Sequence, residues 1–396
     1  MTLPFKFIYL SICAGVSALP LVSHATQGTF PHGYGIKSEG MGGATLAHPQ
    51  DSLVAASNPA GMVHLSNRID GGLALLKVDN GTVFAGQRVR GTARRSLYVI
   101  PQAGFNYMLD EHRSIGLSIV GNGVGTGYSK KTNIGGLQGA GSEFQQMVAT
   151  LTYAQKLNDS HSFGLGLMLL RQSLMVEGTR AVGLPQGKDK SYGAGIRIGY
   201  LGKLTENLSM GVSVSSKGYM QKMKHFDKLL AEGGRLDMPA TAGLGFAYHI
   251  PGWTFAFDLQ RVWWNQVRSL GNSGITRASQ APGKKNGPGF GWKNQTVHKL
   301  GVEWTVNEHL KVRSGYNKGD SILNKKDGYL ALLAPSANHE HVSFGGTLRL
   351  DRKQEISIAY ARSFMSKKNA SGEGADGLSS PYMGQHWISF GYGVAW

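Results

Sequence analysis

The stretch Tyr192–Tyr200, YGAGIRIGY, carries apolar side chains at every second position, with glycine or arginine between them. This alternation is typical of a β-strand whose two faces meet different surroundings. Tyrosine closes both ends of the apolar face, as in the aromatic girdles of transmembrane β-barrels. The segments Ala240–Ile250 and Trp253–Leu259 repeat the pattern. Polar residues on the other face, such as Arg197 and Asp258, favour a watery or ligand-lined lumen over the core of a β-sandwich.

The connections between the alternating segments indicate how many strands the chain contains. Six short polar turns alternate strictly with seven longer loops rich in glycine and charged residues, which implies about fourteen strands. The turns lie at 110–113, 158–161, 205–207, 250–252, 307–309 and 351–353, and the loops near 79–95, 129–142, 178–190, 218–237, 268–295, 317–340 and 365–385. We therefore predict an all-β fold, a transmembrane antiparallel β-barrel with both chain ends on one side.

The N-terminus is typical of a signal peptide. Lys6 precedes an apolar run over 7–22 that Pro20 interrupts, and small residues follow at 23 and 25. We predict a cleaved signal peptide over 1–25 and export of the mature chain. The only cysteine, Cys13, lies inside this leader, so a closed barrel rather than disulfides would hold the mature protein together.

Composition and motifs exclude several functions. The formal net charge is +17, but export argues against nucleic acid as a partner. A basic outer surface that faces phosphate-rich outer-membrane lipids, including lipopolysaccharide, fits the charge better. The sequence has no HExxH motif, no cysteine nucleophile and no convincing serine elbow, so we expect no enzyme, no cofactor and no metal. The triplet His339-Glu340-His341 is a weak metal candidate, and sequence alone leaves a lipase-type Ser-His pair open.

Residues 26–66 differ in character from the rest of the chain. They are rich in Gly, Ala and Ser, and Pro31, Pro49 and Pro59 interrupt regular structure. A barrel of about fourteen strands encloses more space than its own side chains fill, and irregular backbone is tolerated at membrane depth only when protein or water surrounds it. We predict that residues 26–66 form a plug, or hatch, in the lumen of a barrel formed by residues 67–396.

The hatch segment carries a family resemblance. A Gly-Met-Gly-Gly-Ala run at 40–44, Asp51 and an Asn-Pro-Ala motif at 58–60 resemble, in order and spacing, the hatch of the FadL/OmpP1/TodX family of outer-membrane transporters. The stretches LKVRSGYNKGDSIL at 310–323 and HWISFGYGVAW at 386–396 resemble later strands of that family. In isolation, the Asn-Pro-Ala motif would be read as an ordinary Asx-type turn. The gating residues implied by the resemblance are Gly40, Met41, Gly42, Asn58, Pro59 and Ala60.

The resemblance also implies a function. Members pass hydrophobic compounds, above all long-chain fatty acids, by rearranging the plug and releasing the ligand sideways at a kink in the third strand. Gly121, Gly123 and Gly125 fall in the third strand of this chain and are the candidates for that kink. In the other interpretation, these glycines only make room for the plug, without a gap.

Basic residues in the lumen could bind a fatty-acid carboxylate. Arg171 and Arg313 lie near positions where the family carries arginine, whereas Arg197 and Lys299 have only the alternation expected of a lumen residue. Each could equally be a structural charge that pairs with a carboxylate.

The loops differ from those of long-chain fatty-acid members. The third loop, Glu177–Lys190, is short, and the fourth keeps one run at helical spacing, formed by Met223, Phe226, Leu229 and Leu230. Ligand capture by paired loops is therefore doubtful. Aromatic hydrocarbons are the alternative substrate, and a general porin or a surface adhesin is an alternative function. We expect a monomer of the bacterial outer membrane, inserted by the barrel-assembly machinery.

Overall fold

Fourteen antiparallel strands close into a barrel in a computed structural model, which describes residues 27–92, 96–274, 281–372 and 374–396. The first and last strands pair from Arg68–Ala395 to Phe84–Ser379 and complete the ring. The strands are β1 (Arg68–Phe84), β2 (Leu97–Met108), β3 (Arg113–Gly127), β4 (Gly141–Lys156), β5 (His161–Glu177), β6 (Gly187–Lys203), β7 (Leu208–Ser215), β8 (Thr241–Ile250), β9 (Trp253–Val262), β10 (Gln295–Thr305), β11 (Leu310–Gly319), β12 (Glu340–Arg349), β13 (Gln354–Lys367) and β14 (Ser379–Ala395). The predicted fold is confirmed, while the predicted signal peptide and Cys13 lie outside the described residues.

The strands have an apolar outward face and a more polar inward face. On β5, Leu165, Leu167 and Leu169 are 44–47% exposed, whereas the intervening Met168 and Leu170 are buried against the interior. This outward band is what lipid requires of a barrel. The short connections lie at one end of the barrel, here called the turn end, and the long connections lie at the other, the loop end. No helix among the described residues is long and apolar enough to cross a membrane.

Residues 27–66, called the hatch below, precede β1 and lie against the inward faces of the strands. They form helix α1 (Ile36–Gly40) and two 3-10 helices, Ser52–Ala56 and Pro59–His64. Asp51 and Asn58 cap the two 3-10 helices by accepting hydrogen bonds from Leu53 N (3.0 Å) and Ala60 N (3.2 Å). Proline at the first position of a helix has no N–H that would need a partner. Each of the two 3-10 helices of the hatch therefore begins with a hydrogen bond to the side chain of the preceding residue.

The long loops fold over the loop end. Trp264 and Trp292 of the fifth loop are fully buried there. The predicted helical run in the fourth loop is buried as well, but it forms only the 3-10 turn Lys224–Phe226. Other short strands are Gln87–Arg90, Asn133–Ile134, Leu137–Gln138 and Tyr219–Met220; other helical turns are Arg180–Val182, α2 (Ala231–Gly234), Trp264–Gln266, α3 (Arg268–Gly271), Leu330–Leu332 and α4 (Gly374–Leu378).

Candidate functional site

The Asn-Pro-Ala motif binds the wall at β5 and β6. Asn58 is fully buried, and its Nδ2 donates to the carbonyl oxygens of Leu46 (2.7 Å) and Tyr200 (3.0 Å). The Ser162 hydroxyl donates to Ala60 O at 3.2 Å. One side chain thus joins two parts of the hatch to the barrel.

Two wall glycines make room for this motif. A Cβ atom at Gly164 would lie 2.4 Å from Ala60 N, and one at Gly199 would lie 2.1 Å from Asn58 Oδ1. Because real Cβ contacts are never this short, the hatch backbone can reach the wall only where the wall lacks a side chain. We call Gly164 and Gly199 the glycine seat.

The Gly-Met-Gly run binds the opposite wall, at β11 and β12. Ser343 Oγ donates to Gly40 O (3.2 Å) and accepts from Gly42 N (2.9 Å), and Asn317 Nδ2 donates to Gly42 O (2.9 Å). Met41 is fully buried. Four of the six residues predicted from the resemblance, Gly40, Gly42, Asn58 and Ala60, thus hydrogen-bond the hatch to opposite sides of the barrel.

Carboxylates of the wall hold the hatch at the turn end. Glu355 of β13 pairs with Lys37 of α1 and with Arg68, each at 2.5 Å. Glu303 of β10 pairs with Arg313 at 2.6 Å, and Arg313 also donates to Gln50 of the hatch at 2.8 Å.

Arg313 has several protein partners at the turn end. Its third nitrogen donates to Thr347 Oγ1 at 2.7 Å, so Nε, Nη1 and Nη2 all have protein partners. These partners support the structural alternative for Arg313, and its predicted role toward a ligand stays a prediction.

Two hatch side chains are buried where water cannot solvate them. Glu39 accepts from Gln102 Nε2 (2.8 Å) and from the Ser389 hydroxyl, and burial raises the pKa of its carboxyl to about 7. His32 stacks on His341 with ring centroids 5.8 Å apart, and burial lowers the pKa of His32 to about 3. A neutral imidazole is therefore the stable form of His32 at neutral pH.

A central cavity between hatch and wall contains two predicted cations. Arg197 of β6, Lys299 of β10 and Asp258 of β9 all line it. Asp258 Oδ2 accepts from the backbone N–H groups of Thr45 (2.8 Å) and Leu46 (3.1 Å) of the hatch. Asp258 and Lys299 stand opposite each other in the strand register. The cavity therefore carries more positive than negative side chains among otherwise mixed polar and apolar residues.

Arg197 is only partly satisfied. Its Nη1 donates to Ser57 O at 3.1 Å, and its buried Nε has no hydrogen-bond partner among the described residues. Ser57 immediately precedes the Asn-Pro-Ala motif. Arg197 thus connects the cavity to the hatch through a neutral carbonyl rather than through a carboxylate.

An apolar cavity adjoins the central one toward the loop end. Its lining is mostly aliphatic and aromatic, and Met238 lines both cavities. The hatch turn at 27–30 also reaches both, with Thr29 at the apolar cavity and Phe30 at the central cavity. The other apolar lining residues are Val124, Phe144, Leu174, Leu230, Leu236, Pro239, Trp264, Leu270, Phe290, Trp292 and Ala334. Of these lining residues, the sequence analysis had singled out only Leu230, as part of the apolar run in the fourth loop.

Arg171 does not belong to either cavity, and its predicted lumen position is wrong. The residue is exposed on the outward face of β5, with Leu165, Leu167 and Leu169. The neighbouring Gln172 is the residue that points inward, where its Nε2 donates to Leu236 O at 2.8 Å. Because neighbouring residues of a strand point to opposite faces, Gln172 faces the lumen and Arg171 faces outward.

The second and third strands are only partly paired. Their hydrogen-bonded register runs from Ala103–Ile119 to Met108–Ser114, although β2 begins at Leu97 and β3 continues to Gly127. Pro101 lies in the part of β2 that is not paired with β3, although it is opposite Leu73 of β1 on the other side. Proline has no N–H to donate.

The hatch binds the unpaired part of β3 instead. Gly123 N donates to Thr29 O at 2.8 Å, and the Tyr34 hydroxyl donates to Asn122 Oδ1 at 2.6 Å. Gly121, Gly123 and Gly125 all lie in this part of the third strand, whereas β3 remains fully paired with β4 on its other side.

A family model described as outer membrane protein transport protein (OMPP1/FadL/TodX) matches residues 35–388. The chain belongs to this family. Its FadL-family fold resembles the toluene transporter TodX of Pseudomonas putida, with a TM-score of 0.69, 19% identity and coverage of 95% of this chain and 100% of that chain.

Two further solved structures share the fold. The toluene transporter TbuX of Ralstonia pickettii has a TM-score of 0.67 and 15% identity, over 92% of this chain and 99% of that one. A FadL homologue of Pseudomonas aeruginosa has a TM-score of 0.67 and 14% identity, over 95% and 99%. No curated protein sequence matches this chain. As a FadL-family member, the protein is a multi-pass β-barrel of the bacterial outer membrane, in a family of channels that transport hydrophobic compounds.

Proposed function

We propose that the protein takes up long-chain fatty acids through the barrel and releases them sideways into the membrane. The observation that carries this proposal is the junction at Met238 between an apolar cavity and a cation-lined cavity. A fatty acid has the matching two-part chemistry, because each buried methylene contributes about 0.8 kcal/mol and the carboxylate needs charged donors. The tail would occupy the apolar cavity and the head would meet Arg197 and Lys299.

Binding of the head group would loosen the hatch through Arg197. A carboxylate is a stronger acceptor for a guanidinium than the neutral Ser57 carbonyl that Arg197 binds without ligand. Drawing Arg197 toward the ligand removes a hydrogen bond next to Asn58. This is the small hatch rearrangement that the proposed uptake requires.

The unpaired stretch between β2 and β3 is the proposed exit. Val120 and Val124 of β3 line the central and the apolar cavity respectively, so both cavities reach this stretch. Hatch movement would release Thr29 from Gly123. An apolar tail that leaves sideways enters lipid directly and avoids an aqueous path.

Removal of the two cavity cations tests the substrate class. We expect the Arg197→Gln/Lys299→Gln variant to lose about tenfold in initial uptake of labelled oleate, because a charge-assisted hydrogen bond contributes about 1.5–3 kcal/mol. Uptake is measured in cells without their own transporter, at matched surface levels. Arg171→Gln removes one positive charge from the outer wall instead, and oleate uptake should not change.

Oleate uptake that is equally fast in the double variant would contradict a carboxylate site in the cavity. Aromatic hydrocarbons are the second candidate, because Trp264, Phe290 and Trp292 lie at the apolar cavity and two similar structures are named as toluene transporters. Entry of labelled toluene without oleate would move the assignment to them. Entry of neither would leave the porin and adhesin alternatives.

Filling the unpaired stretch tests sideways release. We expect Gly121→Leu/Gly123→Leu to reduce oleate uptake severalfold without opening an ion path, since the new side chains would stand in the part of β3 that is not paired with β2. The matched control is Gly71→Leu on β1, where a Cβ atom would meet no atom within 4 Å. Parental uptake by the double variant would place the exit elsewhere.

A further inference from the structure

Three cations stand together on the outside of the barrel, near the loop end. Arg171 of β5 and Lys188 and Lys190 of β6 are all exposed. Lys190 lies directly opposite Ser173, and Lys188 lies opposite Met175. Arg171 is therefore diagonal to Lys190, within reach of long side chains that share one face. We call these three residues the outer cation group.

The strand register fixes the height of the outer cation group in the membrane. Arg171 is opposite Tyr192, which is 53% exposed on the same outward face. Below Tyr192, the outward residues Ile196 and Ile198 are apolar and exposed. Tyr219, at 61% exposure, lies beside this tyrosine on the short strand that pairs with β6. Because aromatic residues mark the border of the hydrocarbon layer, the cations stand at the level of the lipid head groups.

Carboxylates lie near the outer cation group, but in the described ranges none of them forms an ion pair with its three cations. Asp189, which lies between the two lysines, accepts from His225 N at 2.9 Å. Glu143 of the adjacent β4 stands opposite Met175 and accepts from Gln145. Glu177 of β5 is exposed and diagonal to Lys188.

We propose that the outer cation group binds the phosphate groups of the phosphorylated glycolipid of the outer leaflet. A guanidinium matches two phosphate oxygens at once, and lysines add mobile positive charge. The site lies on rigid strands and is separate from the transport cavities. It extends the function of the protein to specific anchoring of outer-leaflet lipid on one side of the barrel.

Lipid binding by the purified full-length barrel tests this site. The probes are lipid A with both phosphates and the same lipid without phosphates, titrated in zwitterionic detergent and counted as bound lipid by native mass spectrometry. We expect Arg171→Gln/Lys188→Gln/Lys190→Gln to weaken binding of phosphorylated lipid A about tenfold, as three exposed charge contacts would. Higher salt should weaken binding to the parent barrel in the same direction.

The matched control removes three positive charges elsewhere. Lys130→Gln/Lys284→Gln/Lys285→Gln changes exposed loop lysines, and phosphorylated lipid A should bind this variant as it binds the parent. Arg171→Lys keeps the charge and should retain most of the binding, which separates a charge effect from a folding defect. Equal binding of phosphorylated lipid A to the first variant and the parent, or equally tight binding of dephosphorylated lipid A to the parent, would overturn the proposal.

Discussion

The Gly164→Val variant should conduct ions steadily in a planar bilayer, whereas the parent barrel should stay closed. A Cβ atom at Gly164 would lie 2.4 Å from both Ala60 N and the Pro59 carbonyl carbon, which are backbone atoms that no side-chain rotation can move. Overpacking of this kind costs about 1–3 kcal/mol even where a core can adjust. The hatch would therefore leave the glycine seat and expose the lumen of a fourteen-strand barrel.

Gly71→Val is the control for this experiment. Gly71 also lies in a wall strand, but a Cβ atom there would meet nothing within 4 Å. Its conductance should equal that of the parent. Heat-modifiable mobility in gels verifies that both variants form complete barrels before conductance is compared. A closed Gly164→Val barrel with parental oleate uptake would show that the glycine seat does not hold the hatch.

The barrel itself was predictable because alternation and turn spacing are local properties. Segments with alternating apolar residues, such as Tyr192–Tyr200, indicate the individual strands. The regular alternation of short and long connections indicates how many strands there are. Closure adds no further sequence requirement, since the last strand simply pairs with the first. The depth of the unpaired stretch at Pro101 was not predictable in the same way, because it depends on how far two particular strands remain in register.

Alternation within β5 could have assigned Arg171 to its correct face. Arg171 shares its odd position with Leu165, Leu167 and Leu169, and this apolar series is the signal that would have placed it outside. Arg197 and Lys299 were predicted to face the lumen and do so. Their meeting in one cavity arises from strands distant in sequence, so no spacing in the chain could reveal it.

The partners of the hatch were also hidden from sequence reasoning. The Asn-Pro-Ala and Gly-Met-Gly motifs marked the hatch, but the glycine seat that receives the first motif lies on β5 and β6, more than a hundred residues away in the sequence. Glu303 of β10 stands directly opposite Arg313 of the adjacent β11. The ion pair between these two residues depends on this strand register, which the sequence does not show. Inward glycines on wall strands are a signal that could have found the seat.

The ion pair between Glu355 and Lys37 should control how tightly the first half of the hatch is held. The side chains of Lys37 and Glu355 are only 8% and 17% exposed, and their charged atoms are 2.5 Å apart. We expect Glu355→Gln to weaken docking of α1 by about 3 kcal/mol, because it leaves a buried cation without its carboxylate. Hydrogen exchange of the Glu39 and Met41 amides, which close the turns of α1, should become about a hundredfold faster.

A second substitution separates loss of the pair from loss of packing. Glu355→Gln/Lys37→Met removes the stranded charge as well, and it should recover most of the parental protection because an apolar pair of similar volume replaces a buried ion pair at little cost. Glu308→Gln, in an exposed turn, controls for the change of net charge and should exchange like the parent.

The pH dependence of the single variant gives an independent test of the same argument. Burial lowers the pKa of Lys37, and the Glu355 carboxylate acts in the opposite direction. Without Glu355, docked α1 favours the neutral amine, while undocked Lys37 keeps the ordinary lysine pKa of about 10.4. The docked state then binds fewer protons, so docking strengthens as pH rises toward that value. After correction for base-catalysed exchange, the defect of Glu355→Gln should shrink with rising pH; a defect that stays constant would show that Lys37 is not the stranded group.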